Sequence, residues 1–283
     1  MHYTANDGAR LAYETFGDPL NPLKLVLIHG WSGSGKYFAR NIDQLAGRAQ
    51  VFVLDLRFHG MSSTTQTGFT VARLAVDLEN FFTALDLKRT VCVGTSMGCA
   101  IIWLHHQLFP DQDRVVRAVF VDQAPLQAKR PDWNYGSKGL PDDFFLYGLQ
   151  KGLREDMAAF ARGNADCCLT KTIPEDVSAL LTSETLKCDG VALGKLMGDH
   201  TNLDHRDTLS TIPFECLNFA GAHSGCFPME GLKEVERLVP KCKTVVFQSC
   251  NHWLYIEDPS NFNRLVLEFA EGGLEAITEQ IVL

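Results

Sequence analysis

The sequence has no apolar run approaching the ~20 residues that a membrane-spanning helix requires; runs such as Leu25 to Ile28 and Val51 to Leu54 are far shorter. It has no block of like charge either. With 26 Lys and Arg against 34 Asp and Glu, the net charge is -8, which argues against the basic footprint of a nucleic-acid partner. There is no C-x-x-C pair, and the 9 cysteines are odd in number and irregularly spaced. They read as reduced thiols rather than a disulfide framework. Cys167 and Cys168 are adjacent, a poor geometry for joint ligation, so no zinc or other metal site is expected. The stretch from Met1 to Asp7 lacks the basic-then-apolar pattern of a secretory leader, and the expected location is the cytoplasm. Internal repeats and low-complexity tracts are also missing.

What the sequence does contain is core material. Of its 283 residues 46% are hydrophobic and 10% aromatic, against 21% charged, a balance that excludes long disorder and suits one large domain or two small ones. Short β-branched runs alternate with longer stretches of helical spacing, the pattern of a parallel sheet covered on both faces. Strands are expected at Arg10 to Thr15, Leu23 to Ile28, Val51 to Leu56, Thr90 to Val93, Ala118 to Val121, Glu215 to Ala220 and Lys243 to Gln248. Helices are expected at Thr70 to Leu87, Met97 to Phe109, Met229 to Leu238 and Pro259 to Glu271.

One interval breaks this alternation. About ninety residues separate the strand ending at Val121 from the one beginning near Glu215, where a single crossover needs only ~10 to 12. The interval opens with a turn-rich stretch from Pro125 to Pro141, carries helical patterns at Asp143 to Asn164 and Pro174 to Leu186, and finishes near Gly190 to Asn202. It reads as a helical lid. The expected division is a core of residues 1–124 and 213–271, a cap of residues 125–212, and a tail from Gly272 onward, residues 272–283.

The chemistry concentrates at Gly94-Thr95-Ser96-Met97-Gly98, a G-x-S-x-G directly after a strand and directly before a helix. Small residues at both ends permit a sharp strand-to-helix turn that lifts the Ser96 hydroxyl above the sheet. The Met97 amide then stands at a helix N-terminus, where free N–H groups favour negative charge. A serine alcohol is a weak nucleophile until a base removes its proton, so a later histidine is required. His252 is the candidate, because it follows the last strand and precedes the helix opened by Asp258-Pro259; loops at strand C-termini form the active edge of such sheets. His105 and His106 fall within the helix after the serine, and His200 and His205 fall in or near the lid.

The serine turn, the His29-Gly30-Trp31 turn after an early strand and the late histidine together resemble the α/β-hydrolases over roughly Leu11 to Glu271. The resemblance is to the esterase, lactonase and non-haem haloperoxidase branch, whose D-x-R-G-x-G-x-S turn is similar to Asp55-Leu56-Arg57-Phe58-His59-Gly60-Met61-Ser62, with Phe58 in place of a glycine. It implies an α/β fold: a mostly parallel, doubly covered sheet with a helical cap inserted between the sixth and seventh core strands. It also implies a second oxyanion donor in the Trp31 backbone N–H, beside that of Met97; the His29 side chain itself reads as structural, hydrogen-bonded within the turn. The family usually carries an Asp three residues after a glycine that ends the next-to-last strand; here that glycine is Gly221 and the position holds Ser224. Asp122, after the strand Ala118 to Val121, is a location some members use, and it keeps the order Ser, Asp, His.

A rival motif overlaps the early turn. Gly30 to Lys36 fits G-x-x-x-x-G-K after a strand, and Val51 to Asp55 resembles an apolar strand ending in a magnesium-holding Asp. However, Tyr37 follows where a nucleotide site needs a Ser or Thr hydroxyl on the metal, and this reading leaves the serine turn and the late histidine unexplained.

The expected activity is therefore cofactor-independent hydrolysis of a small carboxylic ester or lactone, with Ser96 as nucleophile, His252 as base, Asp122 as acid, and the Trp31 and Met97 amides as oxyanion hole. Trp31, Phe144, Phe145, Tyr147, Met197 and Trp253 are the candidate walls of an apolar or aromatic pocket. Thioester cleavage, acyl transfer, carbon–carbon hydrolysis, peracid formation or a non-catalytic ligand-binding role remain open on the same constellation, and the sequence does not specify an oligomeric state.

Overall fold

The computed structural model describes residues 1–110, 113–140 and 142–282; Pro141, which closes the turn-rich stretch, and Leu283, at the end of the tail, lie outside the described residues. Nine strands make one sheet among the described residues: β1 (His2–Thr4), β2 (Arg10–Phe16), β3 (Lys24–Ile28), β4 (Gln50–Leu54), β5 (Thr90–Thr95), β6 (Val115–Val121), β7 (Glu215–Gly221), β8 (Cys242–Phe247) and β9 (Ile281–Val282). Their spatial order is β1-β2-β4-β3-β5-β6-β7-β8-β9. The β1–β2 and β2–β4 pairs are antiparallel and every other pair is parallel. Strand order reverses around β3, which lies between β4 and β5, and a crevice forms outside the strand C-termini at such a reversal.

The helices are α1 (Ile42–Ala46), α2 (Val71–Ala84), α3 (Met97–Leu108), α4 (Asp143–Glu155), α5 (Met157–Gly163), α6 (Glu175–Leu186), α7 (Gly190–Asn202), α8 (Arg206–Leu209), α9 (Met229–Leu238), α10 (Leu254–Glu257) and α11 (Pro259–Gly272). Successive strand residues point to opposite faces, so the central strands divide their side chains between two cores. Val26, Ile28, Cys92 and Phe120 pack with the residues of α2 and α3. Leu25, Leu27, Val93 and Val121 pack with Phe262, Leu265, Val266 and Phe269, the helical stripe of α11. Every residue of β5 is buried, which is why this strand reads in sequence as a continuous apolar run. Asp258 fixes the start of α11 by accepting from the Asn261 amide (3.2 Å), with Pro259 in the first turn.

Helices α4 to α8 occupy the interval between β6 and β7. An antiparallel bridge between Leu126 and Asp204 draws the ends of this segment together. Its apolar residues gather on the core through Trp31, which packs against two clusters, one of Leu140, Leu146 and Met197 and one of Leu153, Cys188 and Leu193. The Trp31 Nε1–H donates to the Leu193 carbonyl at 2.9 Å. Tyr37 adds a second tie, its hydroxyl lying 2.8 Å from Thr185 Oγ1 on α6.

Several boundaries differ from the sequence expectation. The long helical pattern from Asp143 to Asn164 is two helices, because Asp156 leaves helical geometry and its Oδ1 accepts from the Ala159 amide (2.8 Å), capping α5 where α4 ends. The strand expected to reach Leu56 stops at Leu54, since the Leu56 amide donates to His29 Nε2 (3.0 Å) instead of to a neighbouring strand. The segment expected as a tail is docked: Ile277 is buried, and β9 lies parallel to β8, with Gln248 N donating to Val282 O at 2.8 Å. All 9 cysteines are free thiols. Among the described residues no helix is long and apolar enough to cross a membrane.

Candidate active site

Ser96 sits between β5 and α3 with φ 52° and ψ −122°, a conformation that costs an L-residue roughly 1–3 kcal/mol. Neighbouring glycines make the turn possible. A Cβ on Gly98 would lie 2.3 Å from the Ile28 carbonyl oxygen, and one on Gly94 would lie 2.6 Å from the Gly98 carbonyl group. The sharp turn therefore requires backbone packed against backbone at both positions. The Ser96 amide donates to Val121 O on β6 at 2.9 Å, anchoring the turn, while the Ser96 hydroxyl makes no capping bond to α3.

The loop after β3 lies close by, since a Cβ on Gly30 would stand 3.0 Å from Ser96 Cβ. This proximity brings the Trp31 backbone toward the start of α3, whose first residue is Met97. A first-turn amide has no acceptor within its own helix, so the Met97 N–H is available to an external anion. His29 plays a structural part: Nδ1 donates to Gly30 O (2.7 Å) and Nε2 accepts from Leu56 N (3.0 Å). Both ring nitrogens are used, and burial lowers its pKa to about 4, so the ring is neutral in its turn.

His252 and Asp122 meet across the crevice. His252 Nδ1 donates to Asp122 Oδ1 at 2.6 Å, with the histidine buried and the carboxylate fully so. Asp122 follows β6 at φ 51° and accepts two further bonds, from the Ser224 hydroxyl to Oδ1 (2.6 Å) and from the Gly221 amide to Oδ2 (2.8 Å). Ser224, three residues after Gly221 at the end of β7, thus hydrogen-bonds the Asp122 carboxylate that follows the neighbouring strand β6. Desolvation raises the Asp122 pKa, while bonds from His252, Ser224 and Gly221 oppose that rise. Burial disfavours the imidazolium of His252, but Cys226 and Asp122 outweigh burial and raise its pKa.

The histidine loop is held from behind by groups that escaped the sequence reading. Asn251 Oδ1 accepts from its neighbour His252 N and from Gly225 N, both at 2.7 Å. The Glu257 carboxylate gathers the amides of Asn251 (2.5 Å), Thr170 (2.5 Å) and Lys171 (2.8 Å), tying the loop to the segment that follows α5. No motif marks these residues; their roles arise from contacts between segments far apart in sequence.

Ser96 and His252 line one cavity of about 390 Å³. Of the expected wall residues, Trp31, Phe145, Met197 and Trp253 line it; Phe144 and Tyr147 do not. The inward stripe of α4 runs through Leu146, Leu149 and Leu153, which turns Phe144 and Tyr147 to solvent at 79% and 62% exposure. The thiols of Cys167, Cys168 and Cys226 also reach the cavity and lie within 4.8 Å of one another. The adjacency of the first two suggested poor ligation geometry, but a third thiol arrives from the loop between β7 and α9, which linear spacing does not reveal.

The overlapping G-x-x-x-x-G-K turn does not form a phosphate cradle. Ser34 accepts from Lys36 N (3.1 Å), Gly35 N donates to Asp55 Oδ1 (2.8 Å), and the Lys36 ammonium pairs with Glu14 (2.7 Å). Asp55, the candidate magnesium ligand, uses its other oxygen on the Met61 amide (2.9 Å).

The family model described as alpha/beta hydrolase fold matches residues 24–259. Among curated proteins, the chain is 26% identical over 260 residues to a pimeloyl-[acyl-carrier protein] methyl ester esterase of Vibrio atlanticus, covering 87% of this chain and 94% of that one. Among solved structures it is similar to an esterase of Exiguobacterium antarcticum, with TM-score 0.89 and 19% identity over 96% of this chain and 99% of that one. A bromoperoxidase of Bacillus anthracis is also similar, with TM-score 0.86 and 22% identity over 95% and 99% of the two chains. These two structural likenesses concern the fold.

Proposed function

This chain belongs to the alpha/beta hydrolase fold family, and from that premise we propose that it is a cofactor-independent serine hydrolase that cleaves a carboxylic ester or lactone through an acyl-enzyme on Ser96. The observation that carries this reading is the 2.6 Å bond between His252 and Asp122, with His252 and Ser96 lining the same cavity. With Nδ1 committed to the carboxylate, Nε2 is the nitrogen left to take the proton of Ser96. Esterase activity in the Vibrio relative named above supports the same choice of bond.

In the proposed cycle the Ser96 oxygen attacks the acyl carbonyl while His252 accepts its proton. Asp122 stabilises the imidazolium, and the Trp31 and Met97 amides hold the developing oxyanion, each such donor being worth about 100- to 1000-fold in rate. His252 returns the proton to the leaving alcohol, and water then repeats the sequence to release the acid. In a lactone the leaving alcohol is tethered to the acyl chain. Trp31, Phe145, Met197 and Trp253 favour an apolar or aromatic acyl group in the cavity.

A fluorophosphonate probe tests the nucleophile. The wild-type chain is expected to label covalently at Ser96 and to turn over p-nitrophenyl esters, and Ser96→Ala to lose both while keeping its melting temperature. Undiminished labelling or turnover in Ser96→Ala would refute the proposal, and a panel of short, long, aryl and cyclic esters would then rank the substrate classes.

A further inference from the structure

The ester chemistry leaves one group of reactive side chains unused. Cys167 and Cys168 lie in the turn after α5, and Cys226 lies in the loop between β7 and α9. All three sulfurs fall within 4.8 Å of one another, with Cys167 Sγ 3.5 Å from Cys168 Sγ. Thiols often serve only as small apolar wall residues. Here, however, the spacing matches a metal shell: four-coordinate zinc with Zn–S bonds of ~2.3 Å places its thiolates ~3.8 Å apart.

The backbone around the three thiols is already fixed. A Cβ on Gly225 would meet the Cys167 carbonyl oxygen at 2.1 Å, so the two segments touch backbone to backbone beside the thiols. Cys168 N donates to Ala165 O and Cys168 O accepts from Trp253 N, both at 3.0 Å, while Gly225 N is held by Asn251. Little reorganisation is needed to present the sulfurs to an ion. No carboxylate belongs to the group, and an all-sulfur donor set selects soft or borderline cations over magnesium or calcium.

We propose that Cys167, Cys168 and Cys226 form a three-thiolate site for a soft cation of the zinc class, and that its occupation arrests the reaction at Ser96. The thiols release their protons to solvent as the ion binds, and the group lines the same cavity as His252. A bound ion there removes His252 as a base and narrows the acyl cavity. The binding half stands on the thiol geometry alone; the arrest half rests on the serine hydrolase reading.

The test separates the halves. Cadmium added to the reduced wild-type chain is expected to raise a thiolate-to-metal absorption band that saturates near about one ion per chain, and Ser96→Ala is expected to give the same band. Cys167→Ser/Cys226→Ser is expected to lose it, whereas Cys242→Ser, remote from the cluster, keeps it. Zinc is expected to lower ester turnover about tenfold at a free concentration about ten times its Kd, with a chelator restoring the rate. The double variant, normalised to its own metal-free rate, is expected to be insensitive to the same zinc. No saturating band in the wild-type chain, or a band that survives in the double variant, overturns the site. A saturating band without loss of turnover overturns the arrest, and absent turnover in the metal-free chain refutes the hydrolase reading while leaving the cadmium result standing.

Discussion

Replacing Asp122 by Asn removes one charge while retaining nearly the same shape, and the structure specifies what the amide faces. Three donors converge on the carboxylate: His252 Nδ1 and the Ser224 hydroxyl at 2.6 Å, and the Gly221 amide at 2.8 Å. An amide has one acceptor oxygen and one NH₂ donor. Turned with its oxygen toward His252, it sets NH₂ against the Gly221 N–H. Turned the other way, it donates to Nδ1 and forces the tautomer whose Nε2 already carries a proton, so the ring cannot accept from Ser96. Replacement of a triad acid by its amide costs up to about 10⁴-fold in turnover, or ~5.4 kcal/mol at ~1.36 kcal/mol per decade. Asp122 does not line the cavity, so the loss is expected in kcat, with KM little changed. Fluorophosphonate labelling should slow in parallel. Ser224→Asp provides the complementary arm, because the Ser224 hydroxyl already stands 2.6 Å from Asp122 Oδ1. Added to the Asp122→Asn variant, a carboxylate at 224 is expected to recover at least about tenfold of the loss, by restoring a charge beside the imidazole. Retention of more than about a tenth of wild-type kcat by Asp122→Asn, at an unchanged melting temperature, would refute the assignment.

Two further outcomes follow from burial. Phe145→Ala, which alters a cavity wall, is expected to change the preference between short and long acyl chains by roughly 10- to 200-fold, the range of a pocket contact worth ~1–3 kcal/mol. Phe144→Ala, 79% exposed and outside the cavity, is expected to leave that ratio unchanged, and equal effects of the two variants on kcat/KM ratios would show this placement of α4 to be wrong. Four buried histidines also predict acid lability. Desolvation lowers His29 to about 4, His59 to about 3, His200 to about 3 and His205 to about 4. The unfolded chain binds these protons below pH ~6.5 while the folded chain does not. Their contribution is therefore complete above pH ~6.5 and is lost as pH falls toward the folded values, at up to ~1.4 kcal/mol per pH unit for each ring. Urea midpoints measured from pH 7 to pH 5 are expected to fall steadily, and a flat profile would contradict neutral burial of these rings.

The parts of this fold that were legible in sequence are those whose determinants are local. The central strands are buried on both faces and read as apolar runs, and the serine turn needs glycines within two residues of Ser96 because backbones touch there. The edge strands were not legible: three residues of β1 and two of β9 carry no periodicity, and they are strands because β2 and β8 offer them free backbone groups. Aromatic composition pointed to Phe144, Phe145 and Tyr147 together, yet a helix presents residues one and two apart to different sides, so the solvent side of α4 looked in sequence like pocket. The thiol cluster was hidden for a related reason. Its third member depends on Gly225 lying against Cys167, a contact across the junction between the segment after α5 and the core.

Ser224 shows how far local reading extends into the site itself. A serine at that position looks like the loss of a charge, and judged alone it counts against the proposed chemistry. In the structure its hydroxyl bonds Asp122 Oδ1, and the Phe227 amide donates to the same hydroxyl at 3.2 Å. The loop after β7 thus holds a donor that orients the carboxylate arriving from β6. Because that donor is neutral, it supports the Asp122 carboxylate without adding a second buried charge, which at this spacing would raise the carboxylate's pKa and weaken its grip on His252. The same reasoning distinguishes two uses of one substitution. Ser224→Asp in the wild-type background is expected to impair turnover by setting two carboxylates together, whereas combined with Asp122→Asn it is expected to restore it, and this reversal of sign depends on Asp122 carrying the charge in the native chain.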